Sequence, residues 1–203
     1  MPSLFRRLAG ALGVGRAAGA GAPAARLHGL EVVVENTRPD IDTDDVLARL
    51  GEALGLVAEY TPHYWRHLRR DFARVLVARY PCRGAYFPDT GVCLVELTFV
   101  VNRDFTPAQV AATVLHEGMH ARLHRLGFPL DMGDRARQER FCRRAEVVFG
   151  RLAPGGAPVV ERALAILAEA SDEEVAPVID PALAAARVAA VDAAAARRPN
   201  EAA

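Results

Sequence analysis

The sequence predicts an α+β fold: a small, mostly antiparallel sheet packed on one long helix, with further helices before and after it. Three observations carry this. Val92 to Val101 is the best strand candidate in the sequence, mostly apolar and rich in β-branched residues, preceded by Ala85-Tyr86-Phe87 and the turn residues Pro88-Asp89-Thr90-Gly91, so it reads as a hairpin. Thr106-Pro107-Ala108-Gln109 is a strong helix start: a hydroxyl cap, proline at the first helical position, and a glutamine able to close a capping box. Beyond Gly127 the chain reads as helices alone, one starting near Asp131 or Asp134 and ending at about Leu152, one from Val159 to about Ala170, and an Ala-rich one from Ala182 to about Arg197.

The earlier half supplies the rest. Leu30 to Glu35 is a short strand by its β-branched content. Asp42 or Thr43 caps a helix to about Gly55, with Val46, Leu47, Leu50 and Leu54 at helical spacing. Thr61-Pro62 starts another, expected to reach Tyr80 and stop before Pro81. Residues 1–27 read as a flexible Ala/Gly-rich tail and 28–203 as one domain. Phe5-Arg6-Arg7-Leu8 outlines a signal peptide, but the apolar segment after it is short and broken by glycines, so a cytoplasmic location is the expectation.

Composition narrows the partners. The chain has 203 residues with 25 basic and 25 acidic side chains, so no global field favours nucleic acid or an anionic membrane. No apolar run approaches the roughly 20 residues that span a bilayer. The three cysteines, Cys82, Cys93 and Cys142, suggest neither a disulfide framework nor a Cys/His cluster.

The chemistry lies in His116-Glu117-Gly118-Met119-His120. Residues four apart share a helix face, so both imidazoles can reach one metal ion. Glu117 stands where a carboxylate can take a proton from a water that the metal polarises. Ala112, Leu115, Met119, Leu123 and Leu126 form an apolar stripe, with the two histidines at its edge. Gly118 costs about 1 kcal/mol against alanine in a helix, which makes sense if another backbone passes close by.

Over about residues 92–146 the chain resembles the zincin metallopeptidases, which carry His-Glu-x-x-His on a helix that follows a sheet. The resemblance implies zinc held by His116 and His120, Glu117 as general base, and a peptide or protein substrate. Arg122 departs from the apolar residue that the extended family pattern prefers. A catalytic zinc takes a third protein ligand. Glu139, early in the next helix, meets the late His120 if the two helices run antiparallel, a gluzincin-like arrangement. Glu146, seven residues on, is the reserve candidate, and Asp131 and Asp134 also compete. Gluzincins often place an acid four residues after the ligand glutamate, but here that position is Arg143. His124 lies about 12 Å along the helix from His116, too far for the same tetrahedral site. His63 and His67 have no carboxylate between them and read as a surface patch. Zincins also use a Tyr or His to stabilise the oxyanion, for which Tyr64, His67 and Tyr86 are candidates. The sequence thus suggests a small zinc metallopeptidase. The alternative is a catalytically weak or inactive zincin-like metal-binding or regulatory protein.

Overall fold

The computed structural model describes residues 24–128, 134–177 and 180–197. Five strands form one mixed sheet in the order β1-β2-β3-β5-β4. β1 (Ala24–Leu27) and β2 (Leu30–Glu35) are an antiparallel hairpin. Its two turn residues, His28 and Gly29, both have positive φ, 48° and 90°, the geometry of a tight two-residue hairpin. β1 uses the last four residues of the segment expected to be a tail. Its alternating exposure and small side chains leave little apolar signal in the sequence.

α1 (Thr43–Tyr60) is capped by Asp42, whose carboxylate accepts from the Asp44 backbone N–H. It continues past Gly55 because Leu54 and Val57 are both fully buried. α2 (Pro62–Asp71) stops well short of Tyr80, and the chain instead enters β3 (Arg74–Ala78). β3 pairs in parallel with β2 on one side and β5 on the other, so it is the central strand. The Val75-Leu76-Val77 run is buried on both faces, as parallel central strands are, and tertiary pairing overrides the helical reading.

β4 (Gly84–Phe87) and β5 (Val92–Glu96) form the expected antiparallel hairpin, with Gly91 at φ 67° in its turn. Two expectations fail here. The sheet has two parallel and two antiparallel pairings, so it is mixed rather than mostly antiparallel. The strand also ends at Glu96, where Leu97–Val101 becomes the short helix α3. The cause is Glu96, whose Oε2 accepts from Phe99 N at 2.7 Å and Thr98 Oγ1 at 2.6 Å and so caps the turn. β5 is therefore internal, and β4 is the edge strand beside it.

α4 (Pro107–Arg125) carries the His-Glu-x-x-His motif and has the full capping box between Thr106 and Gln109. It differs from the amphipathic helix expected. Val114, Gly118 and Ala121 are buried along with Ala112, Leu115 and Met119, so the helix is enclosed on nearly all sides. The sheet puts Val32, Val34, Val75, Val77, Cys93 and Val95 into the core that α1, α2 and α4 cover. The alternate residues, among them Val33, Leu76 and Leu94, form a smaller cluster on the opposite face. Gly118 meets the Leu68 side chain from α2, not a backbone: a Cβ there would lie 2.6 Å from Leu68 Cδ1.

α5 (Arg135–Leu152) packs on α4, α6 (Ala157–Leu167) packs on α5, and α7 (Asp172–Val175) is a single turn tied down by Arg140–Asp172 at 2.6 Å. α8 (Pro181–Arg197) is anchored by Asp192, which accepts from Arg38 at 3.2 Å and Arg79 at 2.9 Å. Arg79 also pairs with the capping Glu96, which links this last helix to the β5–α3 corner. No described helix is long and apolar enough to cross a membrane.

Candidate metal centre

Two helices build the site. His116 and His120 project from one face of α4, one turn apart, and their Nε2 atoms are 3.1 Å from each other. Across from them α5 presents Glu139, with Oε2 3.1 Å from His116 Nε2 and Oε1 3.4 Å from His120 Nε2. Glu146, two turns later on α5, meets the earlier histidine: its Oε1 is 2.7 Å from His116 Nδ1. A later residue of α5 thus faces an earlier one of α4, which is the antiparallel register expected.

The spacing fits a small tetrahedral cation. Ligand atoms about 2.0–2.1 Å from a tetrahedral zinc stand roughly 3.3 Å from one another. His116 Nε2 lies 3.1 Å from both His120 Nε2 and Glu139 Oε2, close to that figure, and the other Glu139 oxygen, Oε1, is the one 3.4 Å from His120 Nε2. His116, His120 and Glu139 are therefore brought together, and Glu146 lies behind His116. A carboxylate can only accept, so His116 Nδ1 carries the hydrogen in that bond, and Nε2 is the nitrogen that faces His120 and Glu139. Glu146 also accepts from Arg143 Nη1 at 2.7 Å. Arg143 stands four residues after Glu139, and the acid that bonds a motif histidine, Glu146, comes three residues further on.

Cys142 is a candidate that the sequence reading did not include. Its Sγ and the ligand nitrogens of His116 and His120 all lie within 4.8 Å of one another, so this trio could also hold a metal. Its spacing from Glu139, three residues along a helix, was the available signal. Burial and the nearby carboxylates of Glu139 and Glu117 push the Cys142 thiol well above its usual range, so without a metal it stays protonated. Glu139 is the opposite case. Burial disfavours its charge, but His116 and His120 outweigh burial and hold the carboxyl far below its usual range. Of the two side chains, Glu139 is the one held as an anion beside the histidines.

Burial also opposes charge on His116, yet Glu139 and Glu146 prevail and raise its pKa to about 10. Glu117 is 8 % exposed, and its burial raises its pKa despite the neighbouring histidines. The side chain backs onto the edge strand: a Cβ at Gly84 would lie 3.1 Å from Glu117 Cγ and 2.7 Å from Thr113 Cγ2. Only glycine lets β4 pass this close.

His116, His120, Glu117 and Glu139 all line one cavity of about 460 Å³, which β4 bounds on one side and the end of α7 on another. Tyr86 lines it too, with its hydroxyl 3.4 Å from Nδ1 of the exposed His124 at the rim. The other two oxyanion candidates are elsewhere: Tyr64 stacks against His63, and Nδ1 of His67 accepts from Arg70. His63 and His67 join no group of three ligand atoms among the described residues. Asp134 precedes α5 as its cap residue and does not line the cavity. Asp131 lies outside the described residues.

No protein-family model, curated protein or solved structure matches this chain.

Proposed function

We propose that the protein is a zinc-dependent hydrolase with a zincin-like, gluzincin-like site, cleaving peptide bonds. One observation carries the reading. His116 Nε2, His120 Nε2 and the Glu139 carboxylate converge within 3.1–3.4 Å, and Glu117 lines the same cavity. Two imidazoles and a carboxylate are a ligand set suited to zinc with a position left open. A bound zinc would supply Lewis acidity, polarising a carbonyl and making water a better nucleophile at neutral pH.

The chain's own groups account for the remaining functions. Glu117 is the general base. Its burial raises the carboxyl's proton affinity, which suits a group that must accept a proton and return it to a leaving amine. Glu146 fixes the His116 tautomer and ring orientation, the role that outer carboxylates have at zinc sites. Tyr86, which of the three oxyanion candidates is the one that lines the cavity, is assigned the role of steadying a developing oxyanion. β4 is an edge strand with one side unpaired, and a peptide can add to it along the cavity wall.

Glu117→Gln tests this reading. The variant should keep stoichiometric zinc and lose hydrolysis of a mixed peptide library by at least 100-fold, with a chelator abolishing the wild-type rate. Unchanged activity in the variant would refute the mechanism. A zinc-loaded wild-type protein that cleaves nothing would favour a metal-binding regulatory protein.

A further inference from the structure

The cavity carries positive charge that the metal site does not use. Arg83, just before β4, and Arg162, on α6, both line it and both also line a small neighbouring recess. Neither has a carboxylate within 4 Å among the described residues, unlike Arg38, Arg70, Arg79 and Arg140, which are all ion-paired. The Arg83 guanidinium is held against two aromatic rings, 4.3 Å from the Phe105 centroid and 5.1 Å from that of Phe99. That stacking orients the group without neutralising it. Burial, together with the charge of Arg143, lowers the pKa of both. Arg135, also on the cavity wall, has a buried Nη1 with no hydrogen-bond partner among the described residues. Two of the three acids that line the cavity are already committed, Glu139 to the histidines and Glu146 to His116 and Arg143, and the third, Glu117, forms no ion pair with either arginine.

Arg83 is half-buried and Arg162 is exposed at the mouth of the cavity. Guanidiniums that repel each other across a cavity wall are stabilised by an anion placed between them, and their planar forks match a carboxylate. The position of Arg83 gives direction. It marks the N-terminal end of the edge strand. A peptide pairing antiparallel with β4 would run its C-terminal end toward Arg83.

We infer that Arg83 and Arg162 form a carboxylate-binding subsite, so that the site selects peptides presenting a carboxylate at that end of the cavity. That these peptides are substrates rests on the proposed hydrolase function, but the subsite itself does not require metal. The carboxylate has two chemical sources, a free C-terminus or an acidic side chain, and both can be tested together. The full chain is stripped of metal and dialysed free of chelator, itself a polycarboxylate. Three acetylated tetrapeptides are titrated calorimetrically in a buffer without phosphate or citrate: a neutral one with a free C-terminal acid, the same one as its amide, and an amide carrying one glutamate. At least one acidic peptide should bind tenfold or more tighter than the neutral amide, and the arm that does so identifies the source. Arg162→Gln should remove that preference and Arg162→Lys should keep part of it. Arg83→Lys, which retains charge but loses the fork, should weaken it. Equal binding of all three peptides, or a preference unaffected by both Arg162→Gln and Arg83→Lys, overturns the inference. Zinc content and library cleavage are measured separately. A protein that selects acids but holds no zinc would sink only the hydrolase reading, and one that cleaves without selecting acids would sink only this subsite.

Discussion

Replacing Glu146 by glutamine should weaken metal binding about tenfold without removing a ligand atom. The Glu146 side chain is almost fully buried, and its Oε1 accepts from His116 Nδ1 and from Arg143 Nη1, each at 2.7 Å. Glutamine keeps the shape and an acceptor oxygen but not the charge. A charge-assisted hydrogen bond is worth about 1.5–3 kcal/mol and a neutral one about 0.5–1.5. The bond to His116 therefore weakens by about 1 kcal/mol, or roughly fivefold, and the less polarised imidazole is a poorer ligand. The sum lies near the lower end of the 10- to 100-fold typical for outer-shell changes. Glu146→Leu should do more. It deletes both bonds and leaves the partly buried Arg143 with only Glu139, at 3.9 Å. Removing one partner of a buried pair costs about 3–5 kcal/mol of stability, and the remote Glu139 keeps this case near the lower figure. Competition against a chromophoric chelator gives the affinity, and thermal unfolding of the metal-free proteins gives the stability. A Gln variant that binds zinc as tightly as wild type would refute the claim that Glu146 orients His116.

Two further outcomes follow. If Glu139 is the third ligand, Glu139→Gln should reduce zinc affinity far more than Cys142→Ala. The reverse order, or a thiolate charge-transfer band when cobalt replaces zinc, would make Cys142 the ligand. Stability should also depend on pH. His116 has its pKa raised from 6.5 to about 10, so its contribution is complete below pH 6.5 and is lost as pH rises through 10. Glu139 is depressed from 4.5, so its contribution is complete above 4.5 and is lost as pH falls below. Metal-free protein should therefore melt highest between about pH 4.5 and 6.5 and lose stability toward pH 10. Zinc-loaded protein, which needs the imidazole neutral, should widen its lead over that range. A flat melting temperature for the metal-free protein from pH 6.5 to 10 would contradict the cluster's charge state.

Much of the motif helix was legible because its signals are local. Thr106, Pro107 and Gln109 define its start within four residues, and the two histidines share a face by helical geometry alone. The proximity of Glu139 to both histidines followed from one assumption, that adjacent helices run antiparallel. Other features were not local. The Val75-Leu76-Val77 run is too short to declare itself a strand amid arginines at helical spacing, and it becomes one because β2 and β5 flank it. The end of β5 depends on the Glu96 side chain turning back onto Phe99 N, which apolar patterning does not record.

Helix geometry alone places His116 and His120 on one face of a capped helix, with Glu117 next to the first of them. Packing settles which groups meet them from outside that helix. It brought Glu139 to the open nitrogens, Glu146 to the far nitrogen of His116, Cys142 close behind, and the edge strand β4 against Glu117 at Gly84. The physical reason is register. A helix specifies its own face, but the partner of that face is set by how two helices and a sheet pack in depth, and no spacing along the chain encodes that distance.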